Sequence, residues 1–194
     1  MKKRLIPSFL LIFAMALAMG SCQDKNPVIE IETPKGKILV ELYPDKAPVT
    51  AGNFLDLVKK GVYDGGDFYR TVRGVDENNP VVIQVLQGGV ANKELKEKVS
   101  PIAHETTEQT GIKHLDGVIS MARSKPGTAT TEFFICVNAQ PELDLRGRRN
   151  PDGQGFAAFG RVLEGMEVVR AIWSGNAEGQ RLVPPQRIHK IVVK

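Results

Sequence analysis

The chain has 194 residues, 42% of them hydrophobic and 25% charged, a length that fits one domain with a proper core. Its formal net charge of +4 loses three when residues 1–21, with Lys2, Lys3, Arg4 and no acidic side chain, are set aside as a secretory signal. The remaining +1 excludes the single-sign field that would argue for nucleic acid as a partner.

In chain order, the first element is that signal. Its positive start is followed by an apolar run from Leu10 to Met19, too short for a membrane span. The sequence Met19-Gly20-Ser21-Cys22 resembles the lipobox of bacterial lipoproteins. That resemblance implies that Cys22 is diacylated, becomes the mature N-terminus and anchors the chain to a membrane on the periplasmic side of a bacterial envelope. Gln23 follows the cysteine where an aspartate would mark inner-membrane retention, so the outer membrane is favoured. An ordinary cleaved signal is the alternative. Residues 22–27 then form the tether and 28–194 the domain.

VIEIE and KILVELY flank TPKG, whose proline and glycine suit a tight turn, so a β-hairpin is expected. DKAPVTAGNFLDLVKKG reads as a helix, with Asp45 just ahead and Pro48 in its first turn. Thr50, Phe54, Leu57 and Val58 form one face, and Lys59, Lys60 and Gly61 close it. DFYRTVR and PVVIQVLQGG read as strands, and NKELKEKV as a short exposed helix. Three apolar strands follow, GVISMARS, EFFICVN and GFAAFGRV. Then comes a helix, EGMEVVRAIW, with Met166, Val169 and Trp173 along one side, and a last strand in QRIHKIVVK. About eight short strands and two main helices, without regular βα alternation, favour a closed barrel or a sandwich over a doubly wound sheet.

Conventional catalytic sets are poorly represented. His104, His114 and His189 lack metal-ligand spacing, and Ser120 and Ser124 lack a nucleophile elbow. The glycine pair after Gln87 is not followed by a phosphate-loop lysine. With Cys22 lipidated, Cys136 in its apolar strand is a buried, unpartnered thiol. One residue stands out. Strand alternation places Phe68, Arg70 and Val72 on one face of DFYRTVR and Tyr69, Thr71 and Arg73 on the other, so a guanidinium lies between apolar neighbours. Either its stem packs while its head reaches water, or it stands on the rim of an apolar pocket.

The ordered series NFLDLVKKGVYDGGDFYR, QGG, GVISMARS, TEFFICVN and GFAAFGRVLEGMEVV resembles the cyclophilin family of peptidyl-prolyl isomerases, from about residue 28 to 193. PELDLRGRRNPDGQGFAAFG is similar to exported bacterial members. The resemblance implies a mainly β fold, an eight-stranded antiparallel barrel capped by two helices. It implies isomerisation of X-Pro bonds in exported proteins, with no metal or other cofactor and a monomeric chain. Arg70 would be catalytic and stabilise the twisted amide. Val85, Gln87, Ala122, Phe134, Leu143 and Phe156 would bind the substrate, with Phe134 as the floor beneath the proline ring. Gln87 would bond the substrate backbone and orient Arg70. Read without the family, Phe134 and the other apolar positions are ordinary core residues.

Departures from the family pattern are local. About nine extra residues lie between Arg70 and Gln87, in RGVDENNPV, and Gln84-Val85 replaces a Phe-Met pair. Arg123 stands for an asparagine, Glu132 for a glutamine, Glu142 for the tryptophan associated with strong cyclosporin binding, and Phe156 for a histidine. Weak cyclosporin binding is therefore expected, and Glu132 is a candidate ion-pair partner for Arg70. These changes keep a second reading open, a barrel that binds proline-containing segments as a holdase with little turnover. A third is a cyclophilin-like barrel with an unrelated ligand. The run Arg146-Gly147-Arg148-Arg149 reads as a solvated turn beside Pro151, Asp152 and Gly153, with contact to acidic partners or lipid headgroups as the alternative.

Overall fold

The computed structural model describes residues 26–76 and 79–194. The signal-like segment with Cys22, most of the tether, and Glu77 and Asn78 of the inserted stretch lie outside the described residues.

The opening hairpin is formed by β1 (Val28–Thr33) and β2 (Gly36–Leu42), paired from Val28↔Glu41 to Thr33↔Gly36 around Pro34 and Lys35. Helix α1 (Pro48–Lys59) buries the expected face of Thr50, Phe54, Leu57 and Val58. Its first turn carries no local side-chain cap. Glu105 supplies one from a distant loop, accepting from Val49 N at 3.1 Å and Thr50 N at 2.7 Å. The chain continues through β3 (Asp67–Asp76), β4 (Asn79–Gly89), α2 (Lys93–Glu97), α3 (Thr107–Thr110), β5 (Val118–Met121) and β6 (Phe133–Cys136). A 3-10 turn (Pro141–Leu143), β7 (Ala157–Glu164), α4 (Met166–Trp173), β8 (Ala177–Glu178), β9 (Arg181–Arg187) and β10 (Lys190–Val193) complete it.

Among the described residues there are ten strands rather than about eight, in the antiparallel order β10-β1-β2-β7-β5-β6-β4-β3-β9-β8. The additional pair, β8 and β9, was hidden by Pro184 and Pro185. Strand β3 pairs with Gln186 and then with Arg181, so the intervening prolines fall where the ladder is skipped and no N–H is required. Two short helices also escaped detection or shrank. Helix α3 is held by a capping box between Thr106 and Gln109, and α2 is shorter than its polar run, starting at the Asn92 cap.

Alternation along the strands produces two apolar clusters. The inner one joins Phe54, Tyr63, Phe68, Phe133 and Phe159 with the aliphatic residues of α1, α4 and most strands, its rings 4.8–5.8 Å apart. The outer cluster is smaller, made of Val72, Ile83, Val85, Phe134, Cys136, Leu143 and Phe156. In β6 the neighbours Phe133 and Ile135 point inward while Phe134 and Cys136 point outward. Burial pushes the Cys136 thiol well up, so it behaves as a small apolar residue.

Candidate active site

The outer cluster is open on one side. There the protein has a cleft of about 470 Å³ whose lining includes all seven expected site residues: Arg70, Val85, Gln87, Ala122, Phe134, Leu143 and Phe156. Strand pairing accounts for much of this gathering. Gln87 lies opposite Arg70 on β3 and opposite Phe134 on β6, so three residues distant in sequence form one row across the sheet.

The strict alternation expected for DFYRTVR is corrected. Phe68 belongs to the inner core and Val72 to the outer cluster, because β3 shifts register between Phe68 and Arg70 against both of its neighbours. The bulge at Tyr69 turns Tyr69 and Arg70 together toward Gln87 and returns Thr71 to a buried position. The strand is fixed just beyond it. Thr71 Oγ1 donates to Trp173 O at 2.7 Å, and Trp173 Nε1 donates to Val72 O at 2.8 Å.

Arg70 does not lie loosely along an apolar surface. Its Nη1 donates to Gln87 Oε1 at 2.8 Å, while Nε and Nη2 donate to Gln180 Oε1 at 2.8 and 2.5 Å. Gln180 was not foreseen from the sequence. It sits in the β8–β9 turn after Gly179 (φ 58°), and its carbonyl accepts from Thr71 N at 2.8 Å. Both of these side-chain acceptors are neutral amide oxygens.

The expected candidate partner for Arg70, Glu132, has other bonds. Its carboxylate accepts from the Tyr69 hydroxyl and lies 2.7 Å from Lys96 Nζ. Gln87 Nε2 in turn donates to Tyr69 Oη at 2.6 Å. Burial and the Glu132 charge push the Tyr69 hydroxyl well above its ordinary range, so it stays a donor. The second glycine of QGG lets the Glu132 carboxylate sit here undisturbed, since a Cβ on Gly89 would stand 2.6 Å from it.

Leu143 comes from the 3-10 turn, and Phe156 meets Phe134 edge-on at 5.3 Å. Arg123, nearly buried, braces this wall. It donates to both carboxylate oxygens of Asp152 at 2.7 and 2.9 Å and to Gly155 O, and its guanidinium lies 5.2 Å from the Phe156 ring. The Arg123 hydrogen bonds hold the Asp152 pKa down, to about 2. Behind Phe134, stacked at 6.0 Å, lies His114. Burial lowers the His114 pKa and keeps the ring neutral, so Nδ1–H donates to Asp144 at 2.8 Å and Nε2 accepts from Ser120 Oγ at 3.0 Å. Ser120 is 0% exposed, so this Ser-His-Asp row is a support for the floor and not a nucleophile.

The basic run near the cleft is only partly a solvated turn. Arg146 is exposed and Arg148 pairs with Glu142 at 2.7 Å. Arg149 is buried, donating to Val81 O at 3.0 Å while its own carbonyl accepts from Asn79. It thereby ties the inserted hairpin, paired out to Asp76↔Asn79, to the loop that carries the cleft wall.

Comparison with known proteins identifies the family and the fold. A peptidyl-prolyl cis-trans isomerase from Streptomyces antibioticus, cyp18, is 34% identical over 166 residues, covering 82% of this chain and 93% of that protein. One from Acinetobacter baylyi is 35% identical over 164 residues, covering 84% of this chain and 77% of its relative. A crystal structure of a cyclophilin type peptidyl-prolyl cis-trans isomerase from Cryptosporidium parvum, obtained in the presence of the dipeptide Ala-Pro, shares the fold. It has a TM-score of 0.67 at 22% identity and covers 86% of this chain and 98% of that one. Residues 28–193 match the family described as "Cyclophilin type peptidyl-prolyl cis-trans isomerase/CLD", and the chain belongs to that family.

Proposed function

We propose that the cleft isomerises peptide bonds preceding proline, with Arg70 stabilising the twisted amide. One observation carries the reading: a guanidinium gripped by Gln87 and Gln180 stands at the edge of an open apolar pocket floored by Phe134. Rotation about an X-Pro bond faces a barrier of about 18–20 kcal/mol and takes tens of seconds or more unaided. As the amide twists, conjugation is lost and the proline nitrogen regains its lone pair. An N–H aimed there gains strength only along that path, so it lowers the barrier without tightening the ground state. A thousandfold acceleration needs about 4 kcal/mol, and one charge-assisted hydrogen bond nets about 1.5–3 kcal/mol. The remainder falls to the pocket, in which Phe134, Leu143 and Phe156 hold the ring while the preceding carbonyl turns.

The substrates are proline-containing polypeptides, as the names of the relatives suggest. The signal-like start and Cys22 support a lipid-anchored protein at the periplasmic side of the envelope, acting on exported chains as they fold. The sheet is further inferred to close as an eight-stranded barrel. In support, the run 181–193 pairs with β3 through its first half and with β1 through its second, bridging the two ends of the remaining seven strands.

The test is exchange spectroscopy on a short Ala-Pro peptide with wild type and Arg70→Ala. Wild type accelerates cis/trans exchange, and the variant loses about ten- to a hundredfold of kcat/KM while peptide-induced shifts persist. Shifts without acceleration by wild type would establish a binding module instead.

A further inference from the structure

The polar chain behind Arg70 has a direction. Lys96 Nζ sits against Glu132 Oε1 at 2.7 Å, the Tyr69 hydroxyl meets Glu132 Oε2, Gln87 Nε2 meets Tyr69 Oη at 2.6 Å, and Gln87 Oε1 meets Arg70 Nη1 at 2.8 Å. An ammonium and a guanidinium can only donate, and a carboxylate can only accept. Lys96 and Glu132 therefore commit the single Tyr69 proton to Glu132. Tyr69 Oη is left as an acceptor, which draws the amide N–H of Gln87, and the amide oxygen must then face Arg70. We infer that Glu132 and Tyr69 are positioning residues that fix the hydrogen-bond direction of Gln87 and, through it, the aim of Arg70.

This role rests on the proposed catalytic part of Arg70 and goes beyond it. Tyr69 does not line the cleft; Glu132 does, but its two carboxylate oxygens are engaged by Tyr69 and Lys96. Glu132 lies across Gly89, its carboxylate 2.6 Å from where a Cβ would stand, and its side chain is 14% exposed. Tyr69 reaches the chain of bonds only because the β3 bulge turns it to the same side as Arg70.

Glu132→Gln keeps size and shape but reverses this direction. Lys96 will still claim an oxygen, leaving the new amide N–H₂ facing Tyr69. The hydroxyl must then accept from residue 132 and donate toward Gln87, which turns its own N–H₂ onto the Arg70 donors. Isomerase kcat should fall about tenfold, the worth of one good hydrogen bond, with KM little changed. Removing the cation in Lys96→Met/Glu132→Gln lets the new glutamine rotate its oxygen to Tyr69, and kcat should return to within about twofold of wild type. A residue that mattered only for packing would not be rescued by a second substitution on its far side. Tyr69→Phe, which deletes the link, should lower kcat and be indifferent to Lys96→Met.

A wild-type kcat in Glu132→Gln, or a loss that Lys96→Met leaves in place, would overturn the inference. Arg70→Ala assayed alongside separates the two readings. If that variant turns over like wild type, the catalytic role of Arg70 fails. If it is impaired while Glu132→Gln is not, only the relay fails.

Discussion

The two faces of β6 pack into two different apolar clusters. Inward, Phe133 is fully buried in an aromatic cluster that α1 covers, with Phe54 and Tyr63 packed edge-on against it. Outward, Phe134 is equally apolar and almost equally buried, but its neighbours leave a cleft of about 470 Å³ beside it. The inner face is completed by the chain's own residues. The outer face is left open to solvent on one side, and its polar edge carries Arg70. The difference lies in what covers each face: a twelve-residue helix on one, a three-residue turn and a braced loop on the other.

The largest test of that contrast is a pair of adjacent truncations. Phe133→Ala should cost about 3–5 kcal/mol in urea denaturation, as large buried aromatics do. Phe134→Ala should cost less than half as much and yet remove most isomerase activity. Equal losses of stability would mean that the outer cluster is simply more core.

A smaller effect is expected at the brace. Arg123→Ala removes the bonds to Asp152 and Gly155 and the cation over Phe156, so the pocket wall loosens. Peptide KM should rise about three- to tenfold with kcat nearly unchanged, in steady-state assays. A fall in kcat alone would move Arg123 from the wall to the reacting centre.

The smallest effect is on pH dependence. His114 has a lowered pKa in the folded protein, so the unfolded chain takes up its proton first, near pH 6.5. Stability contributed by the neutral ring is thus present above that pH and lost as pH falls below it. Asp144, whose burial would raise its pKa, is nevertheless held below the ordinary value by the His114 bonds, so its contribution is lost only at more acid pH. Melting temperatures should decline from pH 7.5 to 5, and His114→Gln should flatten that decline. An unchanged slope would remove His114 from the titration.

Most of this was legible in the sequence where periodicity and composition carry the signal. The hairpin, α1, α4 and the strands of the outer cluster follow from apolar spacing, and the family motifs mark Arg70, Gln87 and Phe134. What escaped depends on pairing across the fold. A bulge has no period of its own, so Tyr69 was assigned to the wrong side of Arg70. Gln180 lies 110 residues from Arg70 in a short turn, and nothing local to GNAEGQRL announces its use. Pro184 and Pro185 read as a break because the skipped ladder beside them is visible only once β3 is in place. Glu132 was legible as a departure, but its partners are chosen by the geometry of Gly89 and Tyr69.

Trp173 is the sole tryptophan of the chain. Its indole nitrogen is bonded to the carbonyl of Val72, two residues beyond Arg70, and the Arg73 guanidinium lies 5.7 Å from its ring. The protein therefore carries its own fluorophore hydrogen-bonded to the strand that bears Arg70. Shifts in its emission on titrating a peptide would report the backbone beside Arg70 directly, with no label and no competing indole signal.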